Sequence, residues 1–233
     1  MSNISEIQHF TENALRTLLD NICSDNKCGG FEKNELAYLS AQGKNELQIR
    51  DKIAWQLHKE ITSEFGEQYI VRREWAPKGS GRNKVDLAIL EMDASLTDVK
   101  QIIALIEFKA QSIVKKEPWY IEEFKHDVKK MRELAQEETE LYFVFLETGQ
   151  NKKAENYKSI LGFAVYQPKN KESVSYYTEL TEQNYLLAIK NHWQEFQNAI
   201  DKPIEIPQPK AIYIGEAYGY KQYISPLLLG PFK

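Results

Sequence analysis

Lys84–Leu90 (KVDLAIL) and Ile102–Ala110 (IIALIEFKA) decide how this chain is read. Each run is apolar enough for a buried β-strand, yet Asp86, Glu107 and Lys109 interrupt them. Burying a carboxylate is costly unless a cation, a proton or a hydrogen-bond donor compensates it, so the three charges point to a site rather than to packing. The polar stretch Met92–Lys100 joins the two runs, and pairing them as antiparallel neighbours sets Asp86 opposite Glu107. Residues two apart on a strand share a face, so Glu107 and Lys109 project together while Phe108 enters the opposite face.

Two carboxylates that close repel, and one keeps its proton unless a divalent cation lies between them. Hard oxygen ligands suit Mg2+ or Mn2+, which keep waters and accept a substrate phosphate. Phosphodiester hydrolysis fits this set. The ion polarises a phosphoryl oxygen and acidifies a bound water, while the Lys109 ammonium orients that water or offsets transition-state charge.

The acid-x-lysine spacing alone is weak, because Asp25-Asn26-Lys27, Asp98-Val99-Lys100, Glu123-Phe124-Lys125 and Asp127-Val128-Lys129 share it. Context separates them. The first reads as a loop, the second as a strand entrance and the last two as an exposed helix face, whereas Glu107 and Lys109 end an apolar strand. The competing account is a half-solvated interstrand ion pair worth about 0–1 kcal/mol. It leaves a second acid on the same face without a partner.

Outward from the two strands, apolar residues from Ile4 to Ile22 recur at helical spacing, and that helix ends near the Cys28-Gly29-Gly30 breaker. A second helix starts near Glu35. A third follows Gly43, with Leu47, Ile49, Ile53, Ala54, Leu57, Ile61 and Phe65 on its stripe and Gly66 as its stop. Gln68–Trp75 reads as a strand, Tyr120–Gln136 as a helix and Leu141–Glu147 as a buried strand. A short helix over Gln150–Lys158 and a strand over Ile160–Gln167 are expected next. Leu180–Ile200 is a further helix, PIEIPQP an extended connector, and the C-terminal segment one or two short strands with a hydrophobic tail for the core or a partner.

The chain has 233 residues, 42% hydrophobic and 27% charged, which suits one α/β domain. Its expected parts are an N-terminal helical extension (1–43), a core (44–167) and a C-terminal helix and extended tail (168–233). No apolar run approaches the roughly 20 residues of a membrane span, and MSNISEIQHF lacks the features of a signal peptide. With two cysteines, Cys23 and Cys28, read as reduced loop thiols, the expectation is a cytoplasmic protein without membrane partners. The net charge of −4 argues against broad nucleic-acid affinity but leaves room for a local basic groove.

Asp86 with Glu107-Phe108-Lys109 resembles the PD-(D/E)XK nuclease superfamily, the fold of many restriction endonucleases. The element order from about Glu46 to Glu147 is similar to that family's mixed-sheet core, αβββαβ flanked by helices. Val85 stands where the family's name has proline. The resemblance implies a metal-dependent DNA endonuclease with Asp86, Glu107 and the Phe108 carbonyl as Mg2+ or Mn2+ ligands and Lys109 as the catalytic cation. Many members add an acid from the preceding helix. Glu46 is the matching candidate, Asp51 its competitor, and Glu46 reads equally as a first-turn acid complementing the helix dipole.

Arg72, Arg73, Lys78, Arg82 and Lys84 precede Asp86 around a flexible GSG and are candidate phosphate contacts, with a solvated hairpin tip as the alternative. Lys115, Lys116, Lys125, Lys129, Lys130 and Arg132 read as a solvated face, and Trp119 and Tyr120 as core residues. His58 and His126 stay outside the site. DNA is the expected partner, RNA shares the chemistry, and cutting both strands of a duplex favours a homodimer whose interface the final hydrophobic segment supplies. The alternative function is a catalytically inactive binding module of the same fold.

Overall fold

A six-stranded mixed sheet forms the centre of the computed structural model, in the order β1-β2-β3-β4-β6-β5. The structure describes residues 4–24, 31–41, 45–79, 83–112, 119–150, 186–187, 189–191, 193–194, 198 and 207–232. The expected helix over Gln150–Lys158 and strand over Ile160–Gln167 lie outside the described residues, apart from Gln150, as do Cys28, Arg82, Lys115 and Lys116.

Helices α1 (Ile4–Ser24), α2 (Glu35–Ala41) and α3 (Asn45–Phe65) precede β1 (Tyr69–Trp75), β2 (Val85–Met92) and β3 (Val99–Ser112). Helix α4 (Trp119–Leu134), β4 (Glu140–Gln150), β5 (Ile212–Ala217) and β6 (Tyr220–Phe232) complete the set. The stretch α3 to β4 therefore has the order αβββαβ. Helix α3 ends where Gly66, at φ 100°, donates its N–H to Thr62 O at 3.0 Å, a left-handed stop that a side chain would disfavour.

The β1–β2–β3 meander is antiparallel, whereas β3 and β4 are parallel and joined across α4. One face packs on α1, α2 and α3 through residues such as Leu15, Leu36, Ile53, Ile89, Ile106 and Phe108. The other packs on α4 through Phe124, Val128 and Met131, joined by Ile189 and Trp193. Alternating strand residues serve both layers, so the central stretches of β2 to β4 carry apolar residues on both faces. Helix α1 is thus part of the main core. Leu47, assigned to the α3 stripe by spacing, is exposed instead.

The C-terminal segment forms the two strands β5 and β6, and the hydrophobic tail lies in the core; the difference from expectation is length, since β6 is a long strand inserted between β4 and β5 with Leu227, Leu228 and Leu229 buried. These three leucines are engaged within the chain's own sheet. Among the described residues, no helix is long and apolar enough to cross a membrane.

Candidate functional site

The β2–β3 ladder ends at the pair Leu87 and Ile106, with Asp86 and Glu107 the next residues of the two strands, near enough for the Asp86 charge to act on Glu107. Strand β3 continues to Ser112, so Glu107 and Lys109 lie within it rather than at its end. Beyond Leu87 the β2 backbone no longer pairs with β3. Two carboxylates take β3 amides there: Phe108 N–H donates to Asp86 Oδ2 at 2.9 Å, and Ala110 N–H donates to Glu46 Oε2 at 2.7 Å. Glu46 and Asp86, distant in sequence, are thereby brought to the part of β3 that carries Glu107 and Lys109.

Glu46 comes from the first turn of α3. Burial is the main cause that lifts its pKa above the usual carboxylate range, opposed by the Ala110 amide and reinforced by the charge of Asp86. The competitor Asp51 makes no contact with the β3 amides among the described residues and is paired with Arg50 at 3.1 Å and Arg73 at 2.6 Å. Arg50, itself buried, also donates to Asp86 Oδ1 at 3.0 Å.

Glu107 and Lys109 turn toward α4, as their alternation with Ile106 and Phe108 requires. Lys130 Nζ lies 2.6 Å from Glu107 Oε1 and 3.0 Å from Asp127 Oδ1, while Lys109 Nζ lies 3.0 Å from Asp127 Oδ2. The result is an alternating chain of charge, Lys109–Asp127–Lys130–Glu107. Glu107 is 4% exposed and Asp127 7%. Burial, then the Asp86 charge, pushes Glu107 up to about 8 against the opposing pull of Lys130. Burial works to lower Lys109, but Asp127, Glu46 and Glu123 outweigh it and raise the net value.

Asp127 and Lys130 correct the expectation of a solvated α4 face. The overlooked signal was position: Asp127 lies three residues after Phe124 and four before Met131, at the border of the apolar stripe. The basic loop is also less available than its sequence suggests. Arg73 pairs with Asp51, and Lys78 with Asp98 at 2.7 Å, while Arg72 and Lys84 are exposed.

The donors suit a hard divalent cation in kind, since Asp86 and Glu107 are oxygen ligands whose charges oppose each other. Glu107 Oε1 is buried without a well-formed hydrogen bond, despite its short approach to Lys130. In arrangement, Arg50 and Lys130 stand on the two acids. No three His, Cys, Asp or Glu side chains among the described residues form a ligating group. The carboxylates therefore fit the ion chemically, with cation contacts that ion binding has to exchange.

Comparison with known proteins brings no match to a family model, a curated protein or a solved structure. The α/β class with its mixed sheet rests on the coordinates alone.

Proposed function

We propose that the protein is a metal-dependent nuclease that hydrolyses DNA phosphodiester bonds, with a restriction endonuclease-like αβββαβ core and a restriction-type or related defence or processing role. The observation that carries this reading is the gathering of Asp86, Glu107, Lys109 and Glu46 at one end of β2 and β3, with Glu46 bonded to the amide next to Lys109. Asp86, Glu107 and the Phe108 carbonyl would hold Mg2+ or Mn2+, whose chemistry when bound is polarisation of a phosphoryl oxygen and acidification of a bound water.

The chain's own residues divide the remaining work. Lys109, its pKa raised, stays an ammonium at neutral pH, so it stabilises developing phosphate charge and orients the attacking water rather than taking a proton. Glu46, lifted by burial, accepts or holds a proton beside that lysine. Phe108 anchors the strand in the α3-side core and keeps its neighbours pointing toward α4. A homodimer would provide two such sites for a duplex, and RNA is an alternative substrate with the same chemistry.

A second reading, a non-catalytic binding module, draws support from the cations that stand on both acids. Incubation of purified protein with plasmid and oligonucleotide DNA in Mg2+, Mn2+ or EDTA separates the two, with Glu107→Ala and Lys109→Ala run alongside. Metal-stimulated cutting lost in both variants supports the nuclease. Absence of metal-stimulated cutting on every substrate, RNA included, favours the module, and cutting unchanged in both variants removes these residues from the chemistry.

A further inference from the structure

The two acids proposed to hold the ion carry counter-cations of different kinds. Arg50 is fixed to several carboxylates at once. Its Nε and Nη2 both donate to Asp51 Oδ1 at 3.1 Å, and its Nη1 donates to Asp86 Oδ1 at 3.0 Å and reaches Glu74 at 3.5 Å. Asp86 gives its other oxygen to the Phe108 amide. A planar guanidinium spread over Asp51, Glu74 and Asp86 is held as one unit, so it stays with Asp86 and orients it.

Lys130 is held otherwise, as a point charge on a flexible four-carbon stem. Its directed hydrogen bond goes to Asp127 Oδ1 at 3.0 Å, one turn back on α4. Toward Glu107 Oε1 it makes a close approach of 2.6 Å that leaves this oxygen without a well-formed hydrogen bond. Glu107, whose side chain is 5% exposed, thus aims at Lys130 a carboxylate oxygen that needs a cation and meets a misaligned one. Lys130 can give up Glu107 and stay on Asp127, where its charge is still compensated.

We infer that Lys130 is the exchangeable cation of the site: it holds Glu107 until a divalent ion takes that carboxylate, then withdraws onto Asp127, while Arg50 keeps Asp86 in place throughout. This exchange deepens the nuclease reading and rests on it for Asp86 and Glu107 as ion ligands. Its consequence is a threshold. Lys130 and the ion compete for one carboxylate, so the lysine sets the metal concentration at which the site fills.

The test is isothermal titration calorimetry of Mg2+ alone into the full protein at pH 9, without nucleic acid. The high pH limits competition from the proton on Glu107, which loss of the lysine strengthens. Lys130→Met and Lys130→Gln should bind Mg2+ about ten-fold more tightly than wild type, since each removes a like charge close to the ion. Binding by these variants with none by wild type is the same result in its extreme form. Lys129→Met, an exposed lysine of the same helix, should stay within about two-fold of wild type. Thermal melting shows whether the Lys130 variants fold. If they do not, the wild type decides: acylation of Lys130, followed by peptide mapping, should run several-fold faster in saturating Mg2+ than in EDTA as the ammonium leaves its buried partner. Equal or weaker Mg2+ binding by folded Lys130 variants, no Mg2+ binding by any of the proteins, or, where the variants do not fold, wild-type labelling unchanged by Mg2+ would overturn the inference. Failure of the nuclease reading appears separately, as absence of metal-stimulated cutting on every nucleic acid even where the Mg2+ affinities shift as expected.

Discussion

Lys130 Nζ lies 2.6 Å from Glu107 Oε1, so the acid buried by β3 is held by a cation from α4 rather than by its strand neighbour Lys109. Lys109 is joined instead to Asp127, which also contacts Lys130. Protonation and stability are coupled through that network, because any change in one charge alters the solvation balance of the next.

The pH dependence of stability should carry the signature of Glu107. Its folded pKa of about 8 stands above the ordinary value of 4.5, chiefly through burial. The folded state therefore keeps a proton that the unfolded chain releases. The contribution is full below pH 4.5 and is lost as pH rises through 8. Glu107→Gln removes this loss, so its stability relative to wild type should improve between pH 5 and 8 by on the order of 3 kcal/mol. Urea denaturation in EDTA across that window measures the difference. Parallel midpoints for the two proteins would rule out the raised value.

Lys130→Met should act in the opposite sense. It leaves Glu107 and Asp127 buried without the cation they share, a change that costs about 3–5 kcal/mol for a buried pair. The loss should be larger at pH 8 than at pH 5, where Glu107 holds its proton. Adding Glu107→Gln should recover part of it, and a double-mutant cycle by urea denaturation reads the coupling. Additive single changes would mean that the two side chains do not interact in solution.

Much of this architecture was legible because charge broke an apolar pattern. Asp86, Glu107 and Lys109 stood out against runs made mostly of Val, Ile, Leu and Ala, and the Gly66 stop bounded α3 cleanly. Asp127 and Lys130 were obscured for the converse reason: on α4 they sit among Lys125, Lys129 and Arg132, and only the parallel crossover turns them onto β3. Strand β6 was obscured by its own composition. Pro226, Gly230 and Pro231 break the strand pattern, and its partner β4 lies far back in the chain, so nothing local reveals the pairing.

Asp127→Asn tests the other half of the network. Lys109 loses the carboxylate at 3.0 Å that most opposes its burial, so its pKa should fall toward or below the ordinary value of 10.5. More free amine at pH 8 makes Lys109 react faster with an acylating reagent, by several-fold on the usual dependence on deprotonated fraction. Peptide mapping by mass spectrometry follows that one site. Equal labelling of Lys109 in wild type and variant would show that Asp127 does not hold it.

Gly230 fixes the register of β6, and its replacement should separate steric from conformational cost. Its φ is +132°, and a Cβ there would lie 2.6 Å from Leu141 O and 3.2 Å from Tyr142 Cα. Both are backbone atoms of β4, at the register shift between Leu141 and Phe143, and neither can swing away. Gly219, at φ +79°, has nothing within 4 Å of the same position. Gly219→Ala should therefore cost only the backbone strain, roughly 1–2 kcal/mol. Gly230→Ala adds a clash that β4 and β6 relieve only by moving apart, for about 3 kcal/mol or more. At this chain length the larger cost lowers the melting temperature by roughly 6–12 °C. Calorimetry of the two variants decides it: equal, small shifts would mean that β6 does not approach β4 as closely as described.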